Sequence, residues 1–273
     1  MNIRFLTGEP ALLAGKTLFM ADIHVGIEHE FRKSGLNMPS QTPKLLSRIE
    51  SLLEKTHARK LVLIGDIKHK VPGISWQETR EVPAFLQRLA EKAELHVVPG
   101  NHDGGIAEFI PKGVKLYPMQ GGLLGEIYAS HGHTWPEPSF LQAKYFLMSH
   151  SHPQVEFRDR LGYRWGERIW IRAKLDKTKI RGKYPEAKKL KEGGQATFGP
   201  LPELIVMPAF NPLSGGIPVN RKKQPQEIER KKEGGKAAFR PERHISPILK
   251  SAKMRTAKIY MLDGTYLGEL GKL

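Results

Sequence analysis

Three short runs of residues, apolar almost throughout and each followed at once by polar residues, constrain the fold of this 273-residue chain most strongly. They span residues 18–21, 61–64 and 95–98. Between them, apolar residues recur at helical spacing, first after an N-cap at Ser40 and then around Val82. Continuous apolar runs are typical of strands buried on both faces, and the alternation of strand with helix favours a largely parallel sheet. Polar groups that serve a ligand then belong at the carboxyl ends of these strands.

Weaker patterns predict further elements in the rest of the chain. These are strands around residues 114–117, 124–130 and 204–207, and a helix between Pro138 and Leu147. Two hairpin turns are indicated, one at Gly121-Gly122 and one at Asp263-Gly264. The sequence shows no internal repeat, so residues 1–273 are predicted to form a single domain.

Five short segments rich in histidine and acidic residues follow one another in the first 152 residues. Each stands where a short apolar run ends, so five parts of the chain are able to bring side chains to one edge of a sheet. They are Asp22-Ile23-His24, Gly65-Asp66-Ile67-Lys68-His69, Gly100-Asn101-His102-Asp103, His131-Gly132-His133 and Ser149-His150-Ser151-His152. This convergence predicts a site for two metal ions.

The side chains of these segments suit a metal centre without sulfur. The chain has no cysteine, so every protein ligand must be a nitrogen or oxygen atom. Asp66 offers two carboxylate oxygens, which are able to bridge cations about 3.5–4 Å apart. The other candidate ligands are Asp22, His24, Asn101, His131, His150 and His152. Nitrogen and oxygen ligands together favour manganese, iron or zinc over calcium.

The order D-x-H, G-D, G-N-H-D, H-G-H and H-x-H resembles that of the calcineurin-like metallophosphoesterase superfamily, over residues 18–152. A second resemblance, to predicted archaeal phosphoesterases related to the bacterial DNA-ligase-associated phosphoesterase, reaches nearly the whole chain. It is carried by residues 21–26, Arg32, Gly35, Pro39, residues 65–69, residues 207–211, Gly215-Gly216 and Val219-Asn220. The superfamily resemblance implies an α/β fold, namely a four-layer α/β/β/α sandwich with mixed sheets.

The resemblance also implies how the candidate ligands are shared between two ions. One ion is assigned to Asp22, His24, Asp66 and His152. The other is assigned to Asp66, Asn101, His131 and His150. His102 is implied to face the scissile phosphate.

Two residues depart from the family pattern. Ser149 stands where the last motif usually has glycine, a change that leaves the ligands in place. His69 stands where protein phosphatases of the superfamily have an acid that orients the catalytic histidine. In having histidine at this position, the chain resembles the superfamily's double-strand-break repair nucleases. The pattern therefore favours a nucleic-acid-type phosphodiester, with His69 and His102 near the leaving group.

These observations predict a divalent-metal-dependent phosphoesterase that hydrolyses phosphodiester bonds in nucleic acid or a nucleotide-type substrate. His102 and His69 are the predicted catalytic residues, and Arg32 and Lys68 are predicted to contact phosphate. Manganese is the expected metal, with iron, zinc, cobalt and magnesium as alternatives. Two other functions stay open: a small-molecule phosphodiesterase or phosphomonoesterase, and a nucleic-acid-binding repair accessory with little catalysis.

The net charge of +16 is concentrated in the second part of the chain. Residues 1–160 carry +2 and residues 161–273 carry +14. Basic stretches at 174–195 and 220–243 are predicted to be exposed insertions or loops. This asymmetry indicates a polyanionic partner, with nucleic acid first, while a solvated basic surface stays open. Against a stacking platform, aromatic residues do not alternate regularly with these charges.

The N-terminal segment lacks the apolar core of a signal peptide, and no apolar run approaches the ~18 residues of a membrane span. The expectation is a soluble, cytoplasmic protein without membrane contact. DNA-repair proteins are considered as partners, and the sequence does not indicate an oligomeric state.

Overall fold

The computed structural model describes residues 2–185, 199–221 and 246–273. Its strands, in chain order, are β1 (Ile3–Phe5), β2 (Ala11–Ala14), β3 (Thr17–Ala21), β4 (Lys60–Ile64), β5 (Glu94–Val98), β6 (Lys115–Leu116), β7 (Gly122–Leu124), β8 (Ile127–Ala129), β9 (Tyr145–Met148), β10 (Pro153–Arg158), β11 (Arg164–Lys174), β12 (Glu203–Val206), β13 (Ile217–Pro218), β14 (Lys258–Met261) and β15 (Tyr266–Glu269). Its α-helices are α1 (Glu28–Lys33), α2 (Thr42–Thr56), α3 (Trp76–Lys92) and α4 (Lys177–Lys183). None of these described helices is long and apolar enough to cross a lipid bilayer.

The first sheet contains the three apolar runs as neighbouring strands. Its order is β1-β2-β3-β4-β5-β6, with β3 to β6 parallel and with β1 and β2 antiparallel at one edge. The register places Ala21 beside Ile64 and Ile64 beside Val98. Because β3, β4 and β5 end level with one another, the residues that follow them share one edge of the sheet.

The second sheet mixes parallel and antiparallel strands. Its order is β13-β10-β11-β12-β9-β8-β7, and β14 and β15 attach beside β11. The neighbours β8, β9 and β12 are parallel, whereas β10 and β11 form an antiparallel hairpin. The carboxyl ends of β8 and β9 therefore provide a second parallel edge.

Alternation of side chains along β3 and β4 divides the core into layers. Leu18 and Met20 pack with α2 and α3 on the outer face of the first sheet. Phe19 and Val62 point the other way and pack between the two sheets. On the far side of the second sheet, α4 contributes the buried Ile180. The expected four-layer α/β/β/α sandwich with mixed sheets is confirmed.

The helix predicted between Pro138 and Leu147 is wrong. Residues Pro138–Gln142 form a short 3₁₀ turn, and Tyr145–Met148 form β9. This strand pairs with β8 on one side and β12 on the other. An interior strand is buried on both faces, so its continuous apolar run does not show the alternation that would distinguish it from a helix.

The turn predicted at Gly121-Gly122 is also wrong, because Gly122 begins β7 and β6 belongs to the other sheet. The β7–β8 hairpin turns at Gly125-Glu126 instead, where Leu124 pairs with Ile127. The C-terminal hairpin is confirmed, with Asp263-Gly264 between β14 and β15.

The predicted basic insertions at 174–195 and 220–243 lie largely outside the described residues. Their main described part is not a loop: Lys177–Lys183 form α4, which begins with Asp176 as its side-chain cap. The carboxylate of Asp176 accepts hydrogen bonds from the backbone N–H groups of Thr178 and Lys179.

Candidate metal centre

All seven predicted metal ligands lie at the edge where parallel strands of the two sheets end. Asp22 and His24 follow β3, Asp66 follows β4, and Asn101 follows β5. His131 follows β8, and His150 and His152 follow β9. The two sheets pack face to face, so these loops from five strands meet between them.

One cluster consists of Asp22, His24, Asp66 and His152, whose ligand atoms lie within 4.8 Å of one another. The His24 and His152 Nε2 atoms are 3.4 Å apart. His152 Nε2 lies 3.5 Å from Asp22 Oδ2, and His24 Nε2 lies 3.8 Å from Asp66 Oδ2. These are the four residues that the family resemblance assigns to one ion.

A second cluster surrounds the Nε2 atom of His131. Asp66 Oδ2 lies 3.3 Å from it, His150 Nδ1 lies 3.1 Å from it, and Asn101 Oδ1 lies 3.0 Å from it. This set contains the four residues assigned to the other ion. Asp66 belongs to both clusters, as a bridging carboxylate must.

The candidate ligand atoms of the two clusters suit bound cations. Neither oxygen of the buried Asp22 carboxylate accepts a hydrogen bond from the part of the chain that the structure describes. A buried carboxylate without a hydrogen bond is costly unless a neighbouring cation neutralises it. Paired ring nitrogens such as those of His24 and His152 also approach closely, an arrangement that suits a shared metal ion.

The backbone at the ligand positions has an unusual conformation. Among the described residues, six that are not glycine have a positive φ, and five of these are predicted ligands. They are Asp22 (57°), His24 (47°), Asp66 (44°), His150 (70°) and His152 (39°). Side chains larger than glycine adopt this left-handed region at a cost of about 1–3 kcal/mol each. Such clustered strain is typical of a functional site, where it aims the side chains.

Burial and neighbouring charges set the protonation of the histidines. Burial lowers the pKa of His24 well below its ordinary value, against the opposing effect of the Asp66 carboxylate. Burial and the nearby His131 lower the pKa of His150 to about 3. For His152, burial is outweighed by the Asp22 carboxylate, which raises the pKa to about 9. The buried carboxylates therefore stabilise positive charge at this place, whether it is carried by a proton or by a metal ion.

Hydrogen bonds from outside the clusters orient two of the ligand rings. His131 Nδ1 lies 3.0 Å from Ser149 Oγ, which itself donates to the Ile64 carbonyl at 3.2 Å. The serine hydroxyl thus accepts from His131 Nδ1 and leaves Nε2 free to bind a cation. In the same way, His152 Nδ1 donates to the Ser214 carbonyl at 3.3 Å.

Asp103 is a site residue whose role the sequence did not reveal. It is buried, and its carboxylate accepts hydrogen bonds from the backbone N–H groups of Ile67, Lys68 and Gly100. Burial and the nearby Asp66 carboxylate raise its pKa to about 7. Asp103 therefore ties the loop that carries Asp66 to the loop that carries Asn101. Its place as the last residue of Gly-Asn-His-Asp was the available signal.

Asn211 fixes the loop after β3 in a comparable way. Its side-chain amide donates to the Ile23 carbonyl at 2.8 Å, and its Oδ1 accepts from the Leu213 N–H at 2.9 Å. The residue belongs to the stretch 207–211 that carries the second resemblance.

The predicted catalytic histidines lie beside the first cluster. The His102 N–H donates to Asp66 Oδ1 at 2.9 Å, and His102 Nδ1 contacts the His69 carbonyl oxygen. His102 Nε2 lies 3.8 Å from Asp66 Oδ2, and the side chain is partly exposed. His69 Nδ1 lies 3.2 Å from Nδ1 of His24. His24, His69 and His102 thus form a third group of converging nitrogens.

The two predicted phosphate contacts lie apart from the clusters in every described contact. Lys68 is buried, and its ammonium group donates to the carbonyls of Lys70 and Gly73 at 2.8 and 2.9 Å. This ammonium group is therefore used to hold the loop after β4. Arg32 is exposed on α1 and contacts the side-chain oxygen of Gln77.

His133 lies next to the second cluster, although the motif order predicts no role for it. Its ring centroid is 5.3 Å from that of His131 and 6.2 Å from that of His150. Its buried Nδ1 has no hydrogen-bond partner among the described residues.

Comparison with known proteins identifies a family whose model matches most of this chain. The family model described as calcineurin-like phosphoesterase matches residues 15–197, a range that includes every predicted ligand. Similar solved structures include the nuclease MPE of Pseudomonas putida, with 16% identity, a TM-score of 0.47, and coverage of 78% of this chain and 83% of that chain. Another is Yfce, a phosphoesterase from E. coli, with 19% identity, a TM-score of 0.34, and coverage of 52% and 73%.

Proposed function

The chain belongs to the calcineurin-like phosphoesterase family, and from this premise we propose that it hydrolyses phosphodiester bonds of nucleic acid with two divalent cations. The observation that carries the proposal is the pair of ligand clusters that share Asp66. One carboxylate oxygen of Asp66 lies 3.3 Å from His131 Nε2 and 3.8 Å from His24 Nε2. A single side chain thereby faces both clusters, which is the requirement for a dinuclear centre.

Two divalent cations bound there would supply Lewis-acid neutralisation of the charge that develops during in-line displacement at phosphorus. We propose manganese first, because imidazole and carboxylate ligands without sulfur suit it. The seven side chains that would hold the cations are Asp22, His24, Asp66, Asn101, His131, His150 and His152.

His102 is the proposed general acid. Its Nδ1 contacts the His69 carbonyl oxygen, so Nε2 is the ring nitrogen that remains available, 3.8 Å from Asp66 Oδ2. Protonated at Nε2, the ring donates its proton to the departing oxygen. The neighbouring His69 ring, with its centroid 5.5 Å from that of His102, is the proposed second group near the leaving group.

Nucleic acid is the proposed substrate class for two reasons. Residues 161–273 carry a net charge of +14, which favours a polyanion. His69 also stands where the protein phosphatases that the chain resembles have an acid. The exposed Arg32 is kept as a contact for a longer substrate, and Lys68 is not, because its ammonium group already binds two carbonyls. A cytoplasmic location and DNA-repair partners stay predictions from the sequence.

The test combines bound metal with hydrolysis. Asp66→Ala should lose both ions and the hydrolysis of a chromogenic aryl phosphodiester and of an oligonucleotide. His152→Ala and His150→Ala, which each affect one cluster, should each retain one ion more than Asp66→Ala. Metal content is measured by mass spectrometry after dialysis, and rates are measured with manganese, magnesium, zinc and cobalt.

Two results would contradict the proposal. Full hydrolysis after exhaustive chelation would remove the metals from the reaction. If the protein hydrolyses nucleotides or phosphomonoesters but leaves oligonucleotides intact, its substrate is a small molecule and not nucleic acid.

A further inference from the structure

The hairpin of β10 and β11 extends from the metal centre into solvent. β10 begins at Pro153, directly after the predicted ligand His152. Ile171 of β11 pairs with Val206 at the end of β12, while the part of β11 from Arg164 to Arg168 pairs with β10. At ~3.3 Å per residue, the outer part of the hairpin reaches about 20 Å past the end of β12. It leaves the sheet at the same edge as the metal ligands.

Three aromatic rings form a row on one face of this hairpin. Phe157 and Trp165 are cross-strand partners, with centroids 5.6 Å apart and planes inclined by 29°. Tyr163 and Trp165 have centroids 6.2 Å apart and planes inclined by 21°. The rings therefore stack in the order Phe157, Trp165 and Tyr163, and the last two are open to solvent, since Trp165 is 40% exposed and Tyr163 is 68% exposed. Leu161 at the tip is 95% exposed.

Arginine residues alternate with this aromatic row along the two strands, so Arg158 and Arg164 point to the opposite face of the narrow hairpin, and Arg160 lies in the turn at its tip. Arg158, Arg160 and Arg164 are all exposed. Arg164 pairs with Glu156 at 3.4 Å across the strands, an exposed pair that water and salt weaken. The nearby Asp159 accepts hydrogen bonds from the N–H groups of Leu161 and Tyr163, so its carboxylate is occupied within the turn.

Regular alternation of aromatic with basic residues is not expected from the second half of the chain, and Phe157-Arg158 and Tyr163-Arg164-Trp165 are a local exception. The stack is formed across two strands, so it becomes visible only once the β10–β11 register is known.

We propose that Phe157, Trp165 and Tyr163 form a stacking platform for the bases of a single-stranded nucleic acid, whose phosphates are attracted by the arginines on the opposite face and at the tip of the narrow hairpin. Exposed stacked rings with flanking cations are the features by which proteins bind single strands without sequence preference. A folded protein partner would need apolar area, but would not need the cations. The inference rests on the proposed function in one respect, namely that the bond hydrolysed at the metal centre is a phosphodiester of nucleic acid.

The position of the platform suits a strand that also reaches the metal ligands. Phe157 stands five residues after His152, or ~17 Å along an extended strand. At ~3.4 Å per stacked nucleotide, this separation corresponds to about five nucleotides. A strand bound at the platform can therefore place a phosphodiester several nucleotides away at the metal centre.

The test measures binding apart from hydrolysis. Labelled twelve-nucleotide single strands of DNA and of RNA, and the corresponding DNA duplex, are titrated with metal-free protein. Tyr163→Ala and Trp165→Ala should each weaken single-strand binding roughly 5- to 100-fold, the usual loss per stacked base. Trp165→Phe, which retains a ring, should keep most of the affinity. Tyr266→Ala is the matched control, because Tyr266 is 51% exposed on the other hairpin and should leave the affinity unchanged.

The chromogenic phosphodiester separates this inference from the proposed function. That substrate is too short to reach the platform, so its kcat/KM with manganese should be the same in all variants. If the wild type hydrolyses it while Tyr163→Ala and Trp165→Ala bind single strands as tightly as the wild type, the platform is wrong and the proposed function stands. If the wild type hydrolyses no phosphodiester and the variants still lose binding, the proposed function is wrong and the platform stands. A preference for duplex over both single strands would also overturn the platform, and the DNA and RNA titrations identify which strand it takes.

Discussion

His102 is suited to donate a proton because its backbone and its ring contact different partners. The backbone N–H donates to Asp66 Oδ1, while Nδ1 of the ring contacts the His69 carbonyl. His102→Ala keeps the backbone contact and removes only the ring, so we expect both ions to remain bound. The rate of phosphodiester hydrolysis should fall roughly 10²–10⁴-fold, the usual contribution of a positioned general acid. Metal content and kcat are measured on the same preparation.

The control for this change is His57→Asn. His57 is an exposed histidine in a left-handed conformation at the end of α2, and asparagine tolerates that conformation. It should retain full activity. Loss of an ion from His102→Ala would instead make His102 a ligand, together with His24 and His69.

We propose that Ser149, at the place where the motif it begins usually has glycine, is a positioning residue. Its hydroxyl connects His131 Nδ1 to the Ile64 carbonyl. Ser149→Ala removes this link, and we expect the affinity of the second cluster for manganese to fall about 10- to 100-fold, as for other outer partners of ligand histidines. Isothermal titration of metal-free protein provides the measurement.

Ser130→Ala is a close control, because Ser130 is also buried and precedes His131. Its hydroxyl has no hydrogen-bond partner among the described residues, so its removal should leave the manganese affinity unchanged. Equal affinities for Ser149→Ala and Ser130→Ala would refute the positioning role.

At the scale of elements, the start of α3 holds the loop that carries His69. Glu78 forms a capping box with Ser75 and also accepts hydrogen bonds from the backbone N–H groups of His69 and Lys70, at 2.8 and 2.6 Å. Glu78→Gln removes the charge from these bonds and should lower the free energy of unfolding by about 1.5–3 kcal/mol at neutral pH. Urea unfolding measures this difference, and Glu91→Gln, a change on the exposed side of the same helix, should have little effect.

The effect of Glu78→Gln should depend on pH in a defined direction. Burial raises the pKa of Glu78, but hydrogen bonds from Lys70, Ser75 and His69 outweigh it and lower the pKa below its ordinary value. A carboxyl with a lowered pKa stabilises the fold fully above its unfolded value of ~4.3, and less as the pH falls through the folded value. The difference between wild type and Glu78→Gln should therefore be constant from pH 7 to about 5 and shrink below pH 4. A difference that grows in acid would contradict this account.

The elements that could be predicted are those whose patterns are local. β3, β4 and β5 are continuous apolar runs, and α2 and α3 show helical spacing, so all five appear where expected. β9 could not be distinguished from a helix, because Tyr145–Met148 is apolar at every position. The β10–β11 hairpin was missed because arginine, glutamate and exposed rings fill its outer half. Its pairing depends on the register with a partner strand and not on a buried face.

The candidate site shows the same limit. Ligand residues could be proposed from motif order and strand ends. Asp103, Ser149 and the Ser214 carbonyl could not, because their roles follow from contacts between distant segments, such as the hydrogen bond from His152 to Ser214. The chain order contains no pattern for such contacts.

Across the molecule, the candidate metal centre lies between the two sheets. Asp22, Asp66 and Asn101 follow strands of the first sheet, whereas His131 and His150 follow strands of the second. Each cluster therefore contains ligands from both sheets. A cation bound there would connect the two halves of the sandwich and neutralise carboxylates buried between them.

We expect this connection to appear in the thermal stability of the whole chain. A ligand that binds the folded state alone adds about 2.7 kcal/mol at a concentration one hundred times its Kd. For a chain of this size, that corresponds to a rise in Tm of about 5–10 °C, which calorimetry of chelated protein with increasing manganese would measure. Asp66→Ala is the control, since it removes the ligand common to both clusters and should make Tm nearly independent of manganese. An equal rise in Asp66→Ala would place the stabilising ions elsewhere. A rise confined to the wild type would assign the stabilisation to ions held at Asp66, around which side chains that follow strands of both sheets converge.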